Sequence, residues 1–93
     1  MAYVYVNLLV ENPDTMAAYR EKAGAALQKH GATVLVSAPS QTVIEGRRDE
    51  TGIGVLLEFA DVDAAKAWIN DPELQETHAL RRSAGKSAIT LLG

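Results

Sequence analysis

The stretch GIGVLLEFADVDAAKAWINDPELQETHALRRSA, from Gly52 to Ala84, decides the fold. Its first part alternates: Ile53, Val55, Leu57 and Phe59 fall on one face of an extended segment, and Gly54, Leu56 and Glu58 on the other. That period of two predicts a strand, and Glu58 is the one charge within it. Asp61 is placed to cap a helix, because its carboxylate can accept from the unpaired N–H groups of the first turn, and Asp63 suits the positive end of the helix dipole. Ala64, Ala65, Trp68 and Ile69 then recur at helical spacing as an apolar stripe. Asp71-Pro72 stops this helix and offers a new cap with proline at the first position, so a broken helix pair is expected.

Working outward, Ala2 to Val10 reads as a first strand, with Val4, Val6, Leu8 and Val10 on one face and Tyr3, Tyr5, Asn7 and Leu9 on the other. Asn12 and Pro13 cap and open a helix running to about His30, where Gly31 is a natural left-handed stop. Met16, Tyr19, Ala23, Ala26, Leu27 and His30 mark the face of that helix that meets the sheet. Thr33 to Ser37 reads as a second strand, bent at Ala38-Pro39-Ser40 and resumed as an extended segment over Thr42 to Glu45. Arg47 to Thr51 reads as a solvated charged connector, and Ser87 to Leu92 as the closing strand.

The resulting order, β-α-β-β-α-β, is that of a ferredoxin-like α+β plait in one domain over residues 1–93, with an antiparallel sheet and both helices on one face. The other face would carry Tyr3, Tyr5, Leu9, Leu35 and Leu56, too apolar to stay in water. A chain of 93 residues buries only roughly 60–65% of its unfolded surface, and with no cysteine it has no disulfide to compensate. A second copy packed sheet to sheet answers both problems, so a homodimer is expected. The net charge of −3, with no basic block, argues against nucleic acid as a partner. No run approaches the ~18–20 apolar residues of a spanning helix, and no positively charged leader is visible, so the expectation is a cytoplasmic protein with no membrane partner.

Several segments carry a family likeness: the opening MAYVYVNLLVENPDTMAAYR, the turn KHGA followed by TVLV, the VIEG segment, and above all LLEFADVDAAKAWINDPELQETHALRRSA. Together they resemble the DUF1330 family, small proteins of the dimeric α+β barrel superfamily. The most specific parts are Glu58-Phe59 followed by a helix with Ala65 and Trp68, the Asp71-Pro72-Glu73 break, and Arg81. The resemblance implies a dimer whose two sheets face one another around a cleft, and leaves the activity undefined. The chain departs from the family pattern at Asn7, where an acid is usual, at Ile69 and Leu74, where aromatics flank the break, and at Ser37-Ala38-Pro39-Ser40, where the turn is usually glycine-rich.

Glu58 is the candidate catalytic residue. Turned to the open sheet face with Tyr3, Tyr5, Asn7, Ser37 and Thr90, it could exchange protons with a small organic molecule; equally, it could pair with an arginine or a tyrosine hydroxyl at the dimer interface. Tyr3, Tyr5 and Asn7 are candidate ligand contacts on that face. His78 and Arg81, which share one helical face with Leu74, are candidates for an anion site, although Arg81 could instead pair with an acidic side chain or cap its helix. His30 reads as a helix-end residue and Trp68 as core. With no His-x-x-x-His or Glu-x-x-His pattern no metal is expected, and Gly52-x-Gly54 opens a strand instead of a helix, so it forms no phosphate loop. No cofactor is expected. Two functions remain: a dimer that binds a small molecule in a cleft on the open sheet face, with possible cofactor-independent acid–base chemistry by analogy with the superfamily's monooxygenases and cyclases, or an assembly module with no cavity.

Overall fold

In the computed structural model, which describes residues 1–93, the chain runs β1 (Ala2–Val10), α1 (Pro13–Lys29), β2 (Thr33–Ala38), β3 (Ile53–Phe59), α2 (Val62–Asn70), a 3-10 turn (Pro72–Leu74), α3 (Gln75–Ser83) and β4 (Gly85–Leu92). The strands form one antiparallel sheet in the order β2-β3-β1-β4, the ferredoxin-like α+β plait. The caps lie where their residue types demand. Asn12 Oδ1 accepts from Thr15 N at 3.1 Å, Asp61 Oδ1 from Ala64 N at 2.7 Å, and Asp71 Oδ1 from Glu73 N at 2.9 Å. Gly31 takes φ +67°, the left-handed stop that ends α1.

The helices cover one face of the sheet. Val4, Val6, Leu57 and Phe59 from the strands pack with Ala26 of α1, Ala65 and Trp68 of α2, and Leu74. Leu8, Met16 and Ala84 form a second, smaller cluster. Phe59 and Trp68 lie with ring centres 5.6 Å apart, which anchors α2 on β3.

Two expectations about the second strand are corrected. Thr42 to Glu45 forms no strand: the chain from Pro39 to Gly52 is irregular and turns back over the sheet. In addition, β2 carries a bulge. Val34 pairs with Leu57, but Val36 pairs with Leu56, so one extra residue is inserted at Leu35. Because side chains alternate with period two, that insertion inverts the remainder of the strand. Ser37, expected beside Glu58, is opposite Val55 on the helix-covered side, and Val36 takes a place on the open face.

Candidate functional site

Strand register arranges the open face in rows. Thr33, Glu58, Tyr3 and Leu92 form one row; Val36, Leu56, Tyr5 and Thr90 the next; Ala38, Gly54, Asn7 and Ala88 the third. The third row is roofed by the β2–β3 loop. Asn7 Oδ1 accepts from Gly52 N at 3.1 Å and from Gln41 Nε2 at 2.6 Å, while Asn7 Nδ2 donates to Glu50 O at 3.0 Å. Gln41 Nε2 also donates to Gly52 O at 3.0 Å, and Gln41 Oε1 accepts from the Tyr5 hydroxyl. Gly54 leaves the space in which the Gln41 side chain lies. Asn7 is therefore buried because it ties the loop to the sheet, its amide oxygen accepting two hydrogen bonds and its nitrogen donating one. Arg48 of the same loop places its guanidinium carbon 5.0 Å from the centre of the Tyr5 ring, and Lys86 of β4 reaches Glu50 at 2.6 Å, an ion pair that raises the lysine pKa. The charged connector is thus a built part of this face, and Gln41 is the residue the sequence reading overlooked.

Glu58 faces the same side, half-buried, with no hydrogen-bond or ion-pair partner within its chain. His78 and Arg81 lie on the other side of the sheet, under the helices, 1% and 2% exposed. The six candidate residues therefore make no single cleft: Tyr3, Tyr5, Asn7 and Glu58 share one face, and His78 and Arg81 the opposite layer.

On the helix side, Arg81 Nη1 lies 2.7 Å from His78 Nδ1, His78 Nε2 lies 3.0 Å from the Trp68 carbonyl oxygen, and Arg81 Nε donates to Ser87 Oγ at 3.2 Å. The Arg81 guanidinium carbon is 5.9 Å from the centre of the Trp68 ring and 6.0 Å from that of Tyr19. No acidic side chain pairs with it. Burial pulls the Arg81 pKa below its usual value, and the Tyr19 hydroxyl raises it back in part. Burial likewise lowers the His78 pKa, against a smaller rise from the Trp68 carbonyl. The Trp68 indole N–H is buried without an acceptor.

This layer borders a cavity of about 200 Å³ between α1 and the sheet. Met16, Tyr19, Ala23 and Leu27 of α1 form one wall, Val6, Val55 and Leu57 another, with Trp68 also in the lining; besides Tyr19, its polar lining residues are Arg20 and Ser37. Small Ala23 on a helix face otherwise set with large side chains helps leave the space. The junction of α1 with the helix break is held by Asp71, whose Oδ2 lies 2.7 Å from both Lys29 Nζ and His30 Nε2.

No helix is long and apolar enough to cross a membrane, and no group of three or more histidine, cysteine, aspartate or glutamate side chains stands ready for a metal ion.

Among solved structures, a protein of unknown function from Rhodopseudomonas palustris is similar at 23% identity, TM-score 0.70, over 98% of this chain and 80% of that one. A dimeric ferredoxin-like protein of unknown function from Jannaschia matches at 22% identity and TM-score 0.69, over 99% and 97% of the two chains. SnoaB, a cofactor-independent oxygenase from Streptomyces nogalater, matches at 17% identity and TM-score 0.64, over 99% and 91%. At such identities these likenesses establish the fold alone. No curated protein matches. The model of the domain of unknown function DUF1330 matches residues 1–93, the whole length of the sequence, and the chain belongs to that family.

Proposed function

We propose that the protein is a homodimer that binds a small, mostly apolar organic molecule in the cavity between α1 and the sheet. The observation that carries this reading is the cavity itself. Protein interiors are packed with few voids larger than a water molecule, whereas an apolar cavity of ~150 Å³ is known to admit a benzene ring. A space of about 200 Å³ walled by Met16, Leu27, Val55, Leu57 and Trp68 suits a molecule of that class. Tyr19 and Arg20 in its lining, the arginine without an ion-pair partner, favour a molecule carrying an acceptor or anionic group. A protein of this fold described as a cofactor-independent oxygenase accords with an organic substrate handled by side chains alone.

The homodimer is supported by the dimeric relative and by the apolar residues left at the surface, among them Val36, 52% exposed, and Leu92, 50% exposed. Glu58 lies across the sheet from this cavity and cannot exchange a proton with a molecule held there.

The test is a thermal-shift titration of the purified protein with phenol, benzoate and a naphthoquinone, on the wild type, Ala23→Leu and Glu58→Gln. A ligand that binds only the folded state raises the melting temperature by mass action. A saturable rise that Ala23→Leu abolishes and Glu58→Gln retains is expected. A rise that needs Glu58 and ignores Ala23 would move the ligand to the open face, and no rise with any compound would leave the protein as an assembly module.

A further inference from the structure

The uncovered half of the open sheet face holds a single charge. Of the two rows Thr33, Glu58, Tyr3, Leu92 and Val36, Leu56, Tyr5, Thr90, only Glu58 is ionisable at neutral pH, and it has no partner in its own chain. Leaving a half-buried carboxylate unpaired among apolar side chains is unfavourable once the face is closed from water. An unpaired cation extends over the same face. Arg48 extends from the loop over the Tyr5 ring, one row from Glu58, and makes no ion pair, while the nearby Lys86 is already engaged by Glu50. One acid and one base on a surface that is otherwise uncharged match what a two-fold interface requires, because there residue i meets j and j meets i.

We propose that Glu58 of each copy pairs with the partner's Arg48 across a two-fold axis over the open sheet face, with Tyr3, Val36, Leu56 and Leu92 packed around the two identical ion pairs. Glu58 is then an assembly residue that fixes the register of the dimer. The inference rests on the homodimer reading and is independent of the cavity.

The experiment measures the dimer dissociation constant by sedimentation and light scattering over a concentration series, after circular dichroism has established that each variant folds. Glu58→Arg and Arg48→Glu each place like charges face to face twice per dimer and are expected to weaken it by about a hundredfold or more. Mixing the two variants in equal amounts restores opposite charges at both contacts and should give a heterodimer of near wild-type affinity. The doubly substituted chain should likewise recover a homodimer, and Arg47→Glu should neither weaken the wild type nor rescue Glu58→Arg. Recovery in the doubly substituted chain but not in the mixture would make the pair intramolecular and overturn the proposal. Singly substituted chains that dimerise like the wild type would overturn it too, with the homodimer intact; a monomeric wild type would remove both. If charge reversal prevents folding, a double-mutant cycle with Glu58→Gln and Arg48→Gln separates the same alternatives: coupled losses of affinity support the pair, and strictly additive ones exclude it.

Discussion

Arg81 fixes the tautomer of His78. A guanidinium offers only donors, so at the 2.7 Å contact between Arg81 Nη1 and His78 Nδ1 the imidazole nitrogen must accept. The proton of the neutral ring then sits on Nε2, which donates to the Trp68 carbonyl at 3.0 Å. Protonating Nδ1 would set two cations against each other in a buried layer, which accords with a His78 pKa lowered by burial.

Stability should therefore fall on mild acidification. With the folded pKa below the unfolded value of 6.5, the unfolded chain binds the extra proton first, so unfolding becomes easier as pH drops below about 6.5. One proton gives a slope of at most about 1.4 kcal/mol per pH unit. Urea unfolding between pH 7.5 and 5 should reveal this slope in the wild type. In His78→Gln the slope should flatten, even though that variant is less stable at neutral pH.

A second, more acidic step belongs to Asp71. Hydrogen bonds from Lys29 and His30, with one from the Glu73 backbone, hold its carboxyl far below the usual carboxylate range. A depressed folded pKa contributes stability that is present above the unfolded value of 3.8 and is lost as pH falls through the folded one. Asp71→Asn keeps a good helix cap but removes the charge. Its melting temperature should drop at pH 7 and converge on that of the wild type in strong acid, as a pH series of thermal melts would reveal.

The two faces of the sheet differ in how far the sequence discloses them. The alternations Val4, Val6, Leu8 and Val55, Leu57, Phe59, and the caps Asn12, Asp61 and Asp71, are local signals, and the structure places them as read. The bulge at Leu35 has no such signal: TVLVS alternates well enough as a regular strand, and only its pairing with β3 reveals the inserted residue that moves Ser37 to the helix side. Gln41 and Arg48 were equally hidden, because what they do depends on a loop folding back onto residues 36 and 43 positions earlier in the chain. The cavity is a matter of what α1 fails to fill, and Ala23 opposite large sheet residues is visible only once helix and sheet are docked. His78 and Arg81 were rightly placed on one helical face, but the acceptors available to the arginine are the neutral His78 Nδ1 and Ser87 Oγ, with aromatic rings beside them.

The loop roof makes a separate prediction. Asn7→Ala removes the acceptor of Gly52 N and of Gln41 Nε2 and the donor to Glu50 O, at a cost of about 1–3 kcal/mol for the groups left unpaired. Asn7→Asp keeps the acceptor but turns a carboxylate oxygen toward the Glu50 carbonyl, so it should also destabilise. In both variants hydrogen exchange should quicken across residues 39–52 and stay slow in β1 and β3, whose ladder does not depend on the loop.

Two neighbouring glycines should respond unequally to a single methyl group. A Cβ at Gly52 would collide with the Leu8 carbonyl oxygen and lie 2.6 Å from Leu9 Cα, backbone that cannot yield without disturbing β1. A Cβ at Gly54 would lie 3.0 Å from Cγ and Cδ of Gln41, a side chain that can move. Gly52→Ala should therefore be the severe variant, with loss of cooperative folding at moderate urea. Gly54→Ala should keep the sheet but displace Gln41 by a few tenths of an ångström, and so loosen its bonds to the Tyr5 hydroxyl and to Asn7. If that displacement is the whole of its effect, combining Gly54→Ala with Gln41→Ala should cost little more than Gln41→Ala alone, because the methyl group then has nothing to push aside. Additive losses in urea unfolding would instead mean that Gly54 serves the strand and not the loop.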